Sequence, residues 1–124
     1  MGRAKKYTAA LNTIPGIVVP AVRSEVLPAW HLYPIRLELA KLSVGRAEIF
    51  RALRAENIGV NVHYIPVHVH PYYKERFGYR GGEFPAAEAA YESLISLPMF
   101  HGISDGDVED VVRAVEKVIT HYTA

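Results

Sequence analysis

The sequence predicts an α+β fold with two layers, in which helices pack on a small, mostly antiparallel sheet. Two observations predict this class. Helical and strand-like segments follow one another as a helix, two strands, a helix, a strand, a loop, a helix, a short strand and a final helix. The chain has 124 residues, 50% of them hydrophobic, which suits one domain with a substantial core and leaves no room for two.

The first part of the chain predicts one helix and two strands. Residues 3–12 carry apolar side chains at helical spacing and are expected to form the end of a helix, so the chain is expected to belong to a larger architecture. The β-branched run Ile17–Val19 follows a Pro-Gly turn and predicts a strand. A second strand is predicted over Ala29–Leu39, with an edge position or a bulge at Pro34.

The middle of the chain predicts a helix, a strand and a loop. Residues 46–57 have an apolar stripe typical of a helix, which Asn57 and Gly59 end. The alternating run Val60–Ile65 predicts a strand. Residues 66–84 are rich in proline, tyrosine, glycine and charge, which predicts a long loop, and long loops inside compact domains are often functional.

The last part of the chain predicts two helices with a short strand between them. One helix is expected to begin at Pro85, a favoured first position, and Ile95–Leu97 forms a short apolar strand. Ser104 and Asp107 predict a capping box at the start of the final helix. The apolar stripe of that helix consists of Val108, Val111, Val112, Val115 and Ile119.

Composition excludes several classes of function. The 14 basic and 13 acidic residues give a net charge of +1, so no basic field indicates a nucleic-acid partner. The chain has no cysteine, which excludes disulfides, thiolate metal sites and thiol nucleophiles. No apolar run approaches the ~18 residues that a membrane span requires, so no membrane association is expected and the cytoplasm is the expected location.

Histidine and aromatic side chains are the candidate ligand-binding groups. His63, His68 and His70 lie close together, but prolines interrupt their spacing and no carboxylate lies near enough to complete a set, so no metal site is predicted. Rings alternate with cations in the same region. This pattern suits either a surface for a sugar, a base or a phosphate, or a loop that anchors itself. The rings are Tyr64, Tyr72, Tyr73, Phe77 and Tyr79, and the cations are Lys74, Arg76 and Arg80.

Catalytic groups are not evident from the pattern. No serine lies in a nucleophile elbow, and Glu88 and Glu92 lie on a predicted helix whose apolar face points elsewhere. Arg36 lies on an apolar strand and needs a partner. Two interpretations stay open for it, an internal ion pair near Glu38 and a receptor for a carboxylate in a cleft.

Three stretches resemble, in order, the C-terminal small domain of the DegT/DnrJ-type sugar aminotransferases: AWHLYPIRL, RAEIFRALRAENIGVNVHYIPVHVHPYY and FPAAEAAYESLISLPMFHGISDGDVEDVV. The resemblance covers essentially the whole chain. Its most specific parts are the pattern HY-x-P-x-H-x-x-P-Y at residues 63–72 and the S-L-P at residues 96–98. Enzymes of this family have the aspartate aminotransferase fold (type I) and use pyridoxal phosphate to install an amino group on keto-sugar nucleotides.

The resemblance implies a domain organisation. Residues 1–12 would be the end of an interdomain helix and residues 13–124 the small domain, with the large cofactor-binding domain absent from the chain. In the family that large domain carries the Schiff-base lysine and the aspartate facing the pyridine nitrogen, and this chain has no aspartate before Asp105. The chain alone is therefore expected to be catalytically incomplete, with no catalytic, cofactor-binding or metal-binding residues.

The resemblance also implies a function and a set of site residues. His63, Tyr64 and His68 are expected to bind substrate, with Tyr33 and Arg36 as lesser candidates. The implied reaction transfers an amino group from an amino acid, with glutamate as the expected donor, to a UDP- or dTDP-linked keto-sugar for surface polysaccharide. Within the family, the chain more closely resembles enzymes that make 4-amino-4,6-dideoxy sugars on UDP. The alternative is a stand-alone, self-associating binding module left by gene truncation. The face that packs on the large domain in the family is expected to make the chain a homo-oligomer.

Overall fold

The computed structural model describes residues 2–124 and confirms the α+β class. These residues form five α-helices and a three-stranded antiparallel sheet. The helices are α1 (Gly2–Leu11), α2 (Arg46–Ala55), α3 (Pro71–Phe77), α4 (Pro85–Ser93) and α5 (Asp105–His121), and the strands are β1 (Ile17–Val18), β2 (Tyr33–Leu37) and β3 (Leu94–Leu97). No helix within residues 2–124 is both long and apolar enough to cross a bilayer.

The sheet has the order β1-β2-β3, and its two faces differ. Tyr33, Ile35 and Leu37 are buried on the core face of β2, whereas Pro34 and Arg36 alternate with them on the outward face. The strand β1 pairs only with the last two residues of β2, so it does not reach Pro34. Pro34 therefore has no strand neighbour on the β1 side, as expected for an edge position, although β2 is the central strand of the sheet.

The core lies between the sheet and the helices α1, α2 and α5. Helix α5 packs against both α1 and α2, and its apolar stripe is buried except for the half-buried Val112. Burial of these branched side chains is the main stabilising contribution. The largest fully buried side chains are Tyr7, Leu11, Tyr33, Ile35, Ile49, Leu53, Val60, Ile95, Val108, Val115 and Ile119.

Residues 61–92 form an excursion that adds little to this core. Only His68 is buried among them. The excursion starts beside β3, where the Asn61 amide donates to the Ser96 carbonyl at 3.1 Å and the Ser96 amide donates to the Asn61 carbonyl at 2.7 Å. It returns through α4, where the Arg46 guanidinium of α2 lies 4.5 Å from the centre of the Tyr91 ring. The excursion is thus held mainly at its base.

Three sequence-based predictions need correction. Val60–Ile65 is not a strand, because only Asn61 pairs with β3 and the chain then leaves the sheet. The loop predicted over 66–84 contains a short 3-10 turn and helix α3, which ends where Gly78 adopts φ +71°. The strand predicted over Ala29–Leu39 is limited to β2, and Trp30 before it has φ +49°.

The capping box at the start of α5 is present as predicted. The Asp107 amide donates to Ser104 Oγ at 3.0 Å, and the Ser104 amide donates to the Asp107 carboxylate at 2.8 Å. Hydrogen bonds from the Ser104 hydroxyl and amide hold the pKa of Asp107 below its ordinary value.

Loss of this cap gives a testable change in stability. We expect Ser104→Ala to lower the free energy of unfolding by about 0.5–2 kcal/mol, measured by urea denaturation. Because the pKa of Asp107 is lower in the folded state, its contribution is present above its unfolded pKa of about 3.8 and is lost as the pH falls below that value. The exposed Ser24→Ala is the matched control, and equal midpoints for the two variants would contradict the prediction.

Candidate functional site

The outward face of the sheet places His63 over Ser96. The Nδ1 atom of His63 lies 2.9 Å from Ser96 Oγ, and Ser96 is only 4% exposed. Ser96 is opposite Pro34 in the ladder, so it lies on the outward face of β3. A serine fixed at both backbone groups by Asn61 therefore holds the imidazole against the sheet.

Arg36 lies on the same face of the sheet. It is exposed, and its ladder partners are Val18 of β1 and Leu94 of β3. No carboxylate of residues 2–124 makes an ion pair with it, and Glu38 instead pairs with Lys41 at 3.0 Å. The internal ion pair considered for Arg36 is therefore wrong, and its guanidinium is free to bind an anion.

Tyr33 belongs to the core. Its side chain is fully buried, its ring lies 4.9 Å from that of Tyr7, and its hydroxyl lies 2.6 Å from Thr8 Oγ1. Burial raises the pKa of Tyr33, and the hydrogen bond with Thr8 opposes this shift. The expectation that Tyr33 contacts a ligand is corrected, because register places it on the face opposite Arg36.

A cavity of about 390 Å³ adjoins His63. Its lining includes the polar residues Asn61, His63 and Ser96 and the apolar residues Met99 and Phe100. Tyr64 follows His63 with its ring 4.6 Å away and is 70% exposed. The cavity thus combines an imidazole and an amide with apolar surface, which is the usual make-up of a small-molecule site.

His68 anchors the excursion from within. It is 6% exposed, and its ring lies 4.8 Å from Phe84 and 6.1 Å from Tyr79. Its Nε2 atom lies 3.1 Å from Glu88 Oε1, at an angle outside hydrogen-bond geometry. His68 and His63 therefore have different surroundings: the former packs under rings, and the latter lies on the sheet.

Sequence reasoning missed the role of Glu88. The Gly82 amide donates to both carboxylate oxygens of Glu88, at 2.8 and 3.0 Å. This hydrogen bond, followed by the contact with His68, holds the pKa of Glu88 below its ordinary value. Gly82 has φ +89°, a backbone conformation that few residues other than glycine adopt. Glu88 therefore stabilises a turn that depends on a glycine at position 82.

Exchange of the Gly82 amide tests this contact. We expect Glu88→Gln to increase the hydrogen-exchange rate of that amide several-fold, because the charged acceptor and one of its two oxygens are lost. Glu92→Gln, one helical turn further along α4, is the control and should leave the rate unchanged. Equal rates in both variants would show that Glu88 does not hold the turn.

The exposed rings of the excursion form an aromatic cluster. Tyr73 and Phe77 stack at 6.1 Å, and Phe77 lies 6.0 Å from Tyr79. Phe77 and Phe84 are 60% and 46% exposed. With His68 they line an open cavity of about 420 Å³. The rings pack on one another, as a self-anchoring loop requires, and still leave apolar surface for another molecule.

The charged side chains of the described residues do not fit a metal or pyridoxal phosphate. No three His, Cys, Asp or Glu side chains within residues 2–124 lie close enough to hold a metal ion. Lys6, Lys41 and Lys117 each pair with a surface glutamate, and Lys5 and Lys74 are exposed. The three aspartates lie at the exposed start of α5. Neither a desolvated lysine nor a carboxylate facing a pyridine ring is thus provided.

Comparisons with known proteins agree with the motifs. Residues 2–116 match the model of the DegT/DnrJ/EryC1/StrS aminotransferase family. The spore coat polysaccharide biosynthesis protein SpsC of Bacillus subtilis is 44% identical over 117 residues, which make up 94% of this chain and 30% of that protein. The chain therefore spans about 30% of the length of the curated relatives it matches.

Solved structures share the fold. The structure of S. venezuelae DesV in complex with a ketimine intermediate aligns with a TM-score of 0.83 and 30% identity, covering 94% of this chain and 30% of that one. Spr1654 from Streptococcus pneumoniae, in its PLP form, aligns with a TM-score of 0.83 and 29% identity, covering 97% of this chain and 31% of that one.

Proposed function

Because the chain belongs to the DegT/DnrJ/EryC1/StrS aminotransferase family, we propose that it forms the small domain of a nucleotide-sugar aminotransferase. The proposed reaction transfers an amino group from glutamate to a UDP- or dTDP-linked keto-sugar for surface polysaccharide. The observation that carries the proposal is the outward sheet face, where His63 lines a cavity and the unpaired Arg36 lies on the same face. The likeness to SpsC, a protein of spore coat polysaccharide biosynthesis, supports the substrate class.

In this proposal the chain binds and orients rather than moves protons. His63 and Tyr64 contact the sugar, and Arg36 receives a phosphate or a carboxylate, because a guanidinium matches both groups. His68 packs under the rings of the aromatic cluster and holds them in place. The family uses pyridoxal phosphate, and the lysine and aspartate that such chemistry needs would come from a separate large domain.

A chimera tests the proposed function. The chain replaces the matching segment of SpsC, with which it shares 44% identity, and amino transfer from glutamate to a UDP-linked 4-keto sugar is measured. We expect the chimera to be active and Arg36→Ala in it to raise KM, whereas Arg51→Ala on the solvent face of α2 should not. A folded, cofactor-bound chimera without activity would contradict the proposal.

The chain alone is proposed to be catalytically incomplete. Purified chain mixed with pyridoxal phosphate and treated with borohydride should show no stoichiometric adduct at a single lysine by mass analysis. One labelled lysine at full occupancy would overturn this, because a Schiff-base site would then exist within the 124 residues.

Self-association is the alternative function, and the exposed rings favour it. Phe77 and Tyr72 are 60% and 65% exposed, and apolar patches of this kind are usually covered by another protein surface. Sedimentation velocity over a concentration series should show dimers or larger species, and Phe77→Ser should abolish them. Leu27→Ser is the control, because Leu27 is 77% exposed but lies outside the aromatic cluster. A monomer at every concentration would exclude this alternative.

A further inference from the structure

The environment of Ser96 limits where its hydroxyl proton can go. Ser96 is 4% exposed, and its Oγ atom has one hydrogen-bond partner among residues 2–124, the Nδ1 atom of His63 at 2.9 Å. If Nδ1 carried a proton and donated it to Oγ, the serine O–H would be left without an acceptor in a buried place. Buried hydroxyl groups avoid this state.

We propose that the Ser96 hydroxyl donates to Nδ1 and so fixes His63 in the neutral Nε2–H tautomer. The Nε2 atom makes no hydrogen bond within the described part of the chain, and His63 lines the 390 Å³ cavity. His63 therefore presents an N–H donor to that cavity, and Ser96 is its positioning residue. The backbone bonds between Ser96 and Asn61 hold the serine in register.

This assignment sets the chemistry of the ligand group at His63. A fixed Nε2–H donates, so it pairs with an oxygen that has a free lone pair, such as a carbonyl, a sugar oxygen or a phosphate oxygen. Because Nε2 already carries a proton in this tautomer, the same atom cannot accept another one. His63 in this form orients a ligand and does not act as a base through Nε2. The ligand part of the inference rests on the proposed function, whereas the tautomer does not.

The tautomer is measured on the unmodified chain. Long-range ¹H–¹⁵N correlation spectra separate the 6 imidazoles, and His63→Gln identifies the signals of His63 by their loss. At about pH 8.5, where histidine is ordinarily neutral, we expect Nε2 protonated and Nδ1 shifted as a hydrogen-bonded acceptor. A proton on Nδ1 would overturn the proposal. Because the spectrum is recorded on the unmodified chain, this result does not depend on whether a variant of a buried residue folds.

Variants of the serine test its role. Ser96→Ala should move the Nδ1 signal of His63 and no other imidazole, and Ser96→Thr, which keeps the hydroxyl, should restore it. Ser93→Ala is the matched control, because Ser93 is 5% exposed but bonds only to carbonyls of its own helix. An unchanged His63 signal in Ser96→Ala would show that Ser96 does not position the ring.

Titration with UDP-glucose tests the ligand part. We expect the Nε2–H signal of His63 to move in the unmodified chain and in Ser93→Ala, and to move less in Ser96→Ala. No movement in the unmodified chain would overturn the role of His63 as a ligand contact. The tautomer would still be decided by the spectra without ligand, so the two failures are distinguishable.

Discussion

Replacing Tyr33 with alanine should lower the free energy of unfolding by about 3–5 kcal/mol, because a fully buried ring leaves a cavity at the junction of β2 and α1. The ring lies 4.9 Å from Tyr7 and 5.3 Å from Trp30, and its hydroxyl ties it to Thr8. Urea denaturation of the purified chain measures the change.

Two matched variants separate packing from hydrogen bonding. Tyr33→Phe keeps the ring and loses only the contact with Thr8, so a cost of about 1 kcal/mol is expected. Tyr72→Ala removes a tyrosine that is 65% exposed and should change stability by no more than ~0.5 kcal/mol. If Tyr33→Ala unfolded at the same urea concentration as the unmodified chain, Tyr33 would not be a core residue.

The second large effect is expected at Leu53 of α2. This side chain is 1% exposed in the layer between α2 and α5, so Leu53→Ala should cost about 2–5 kcal/mol. Leu27→Ala makes the same chemical change at a residue that is 77% exposed, and should alter stability by at most ~0.5 kcal/mol. Thermal and urea midpoints of both variants give the comparison, and similar losses in the two would contradict the burial of Leu53.

Elements that face the core could be predicted from the sequence. Helices α2 and α5 bury one stripe each, and burial of a stripe requires apolar residues at helical spacing. The cap at Ser104 could be predicted because it depends on a residue only three positions away. The family resemblance, carried by residues 63–72 and 96–98, came from motifs rather than from periodicity.

Elements of the excursion could not be predicted in the same way. Helix α3 has no buried residue, so it has no stripe, and only Pro71 at its start and Gly78 at its end mark it. The alternation in Val60–Ile65 shows that a strand is possible, but pairing requires a neighbour that the sequence does not reveal.

The candidate site depended on contacts that are distant in the chain. The bond from His63 to Ser96 joins residues that are 33 positions apart, and His68 meets Glu88 across the excursion. Tyr33 and Arg36 are close on one strand, yet the register places them on opposite faces of the sheet. The family resemblance identified these candidates, and only the tertiary fold separated core from surface among them.

The excursion starts at Asn61, which is hydrogen-bonded to Ser96 of β3 just beyond its other end, and this arrangement has an evolutionary consequence. Because His68 is its one buried residue within the described chain, insertions, deletions and side-chain changes there leave the core nearly untouched. Natural selection can therefore change the exposed side chains of the excursion without first securing extra stability elsewhere. The exposed rings of the excursion and the buried core are inherited on largely separate parts of the same short chain.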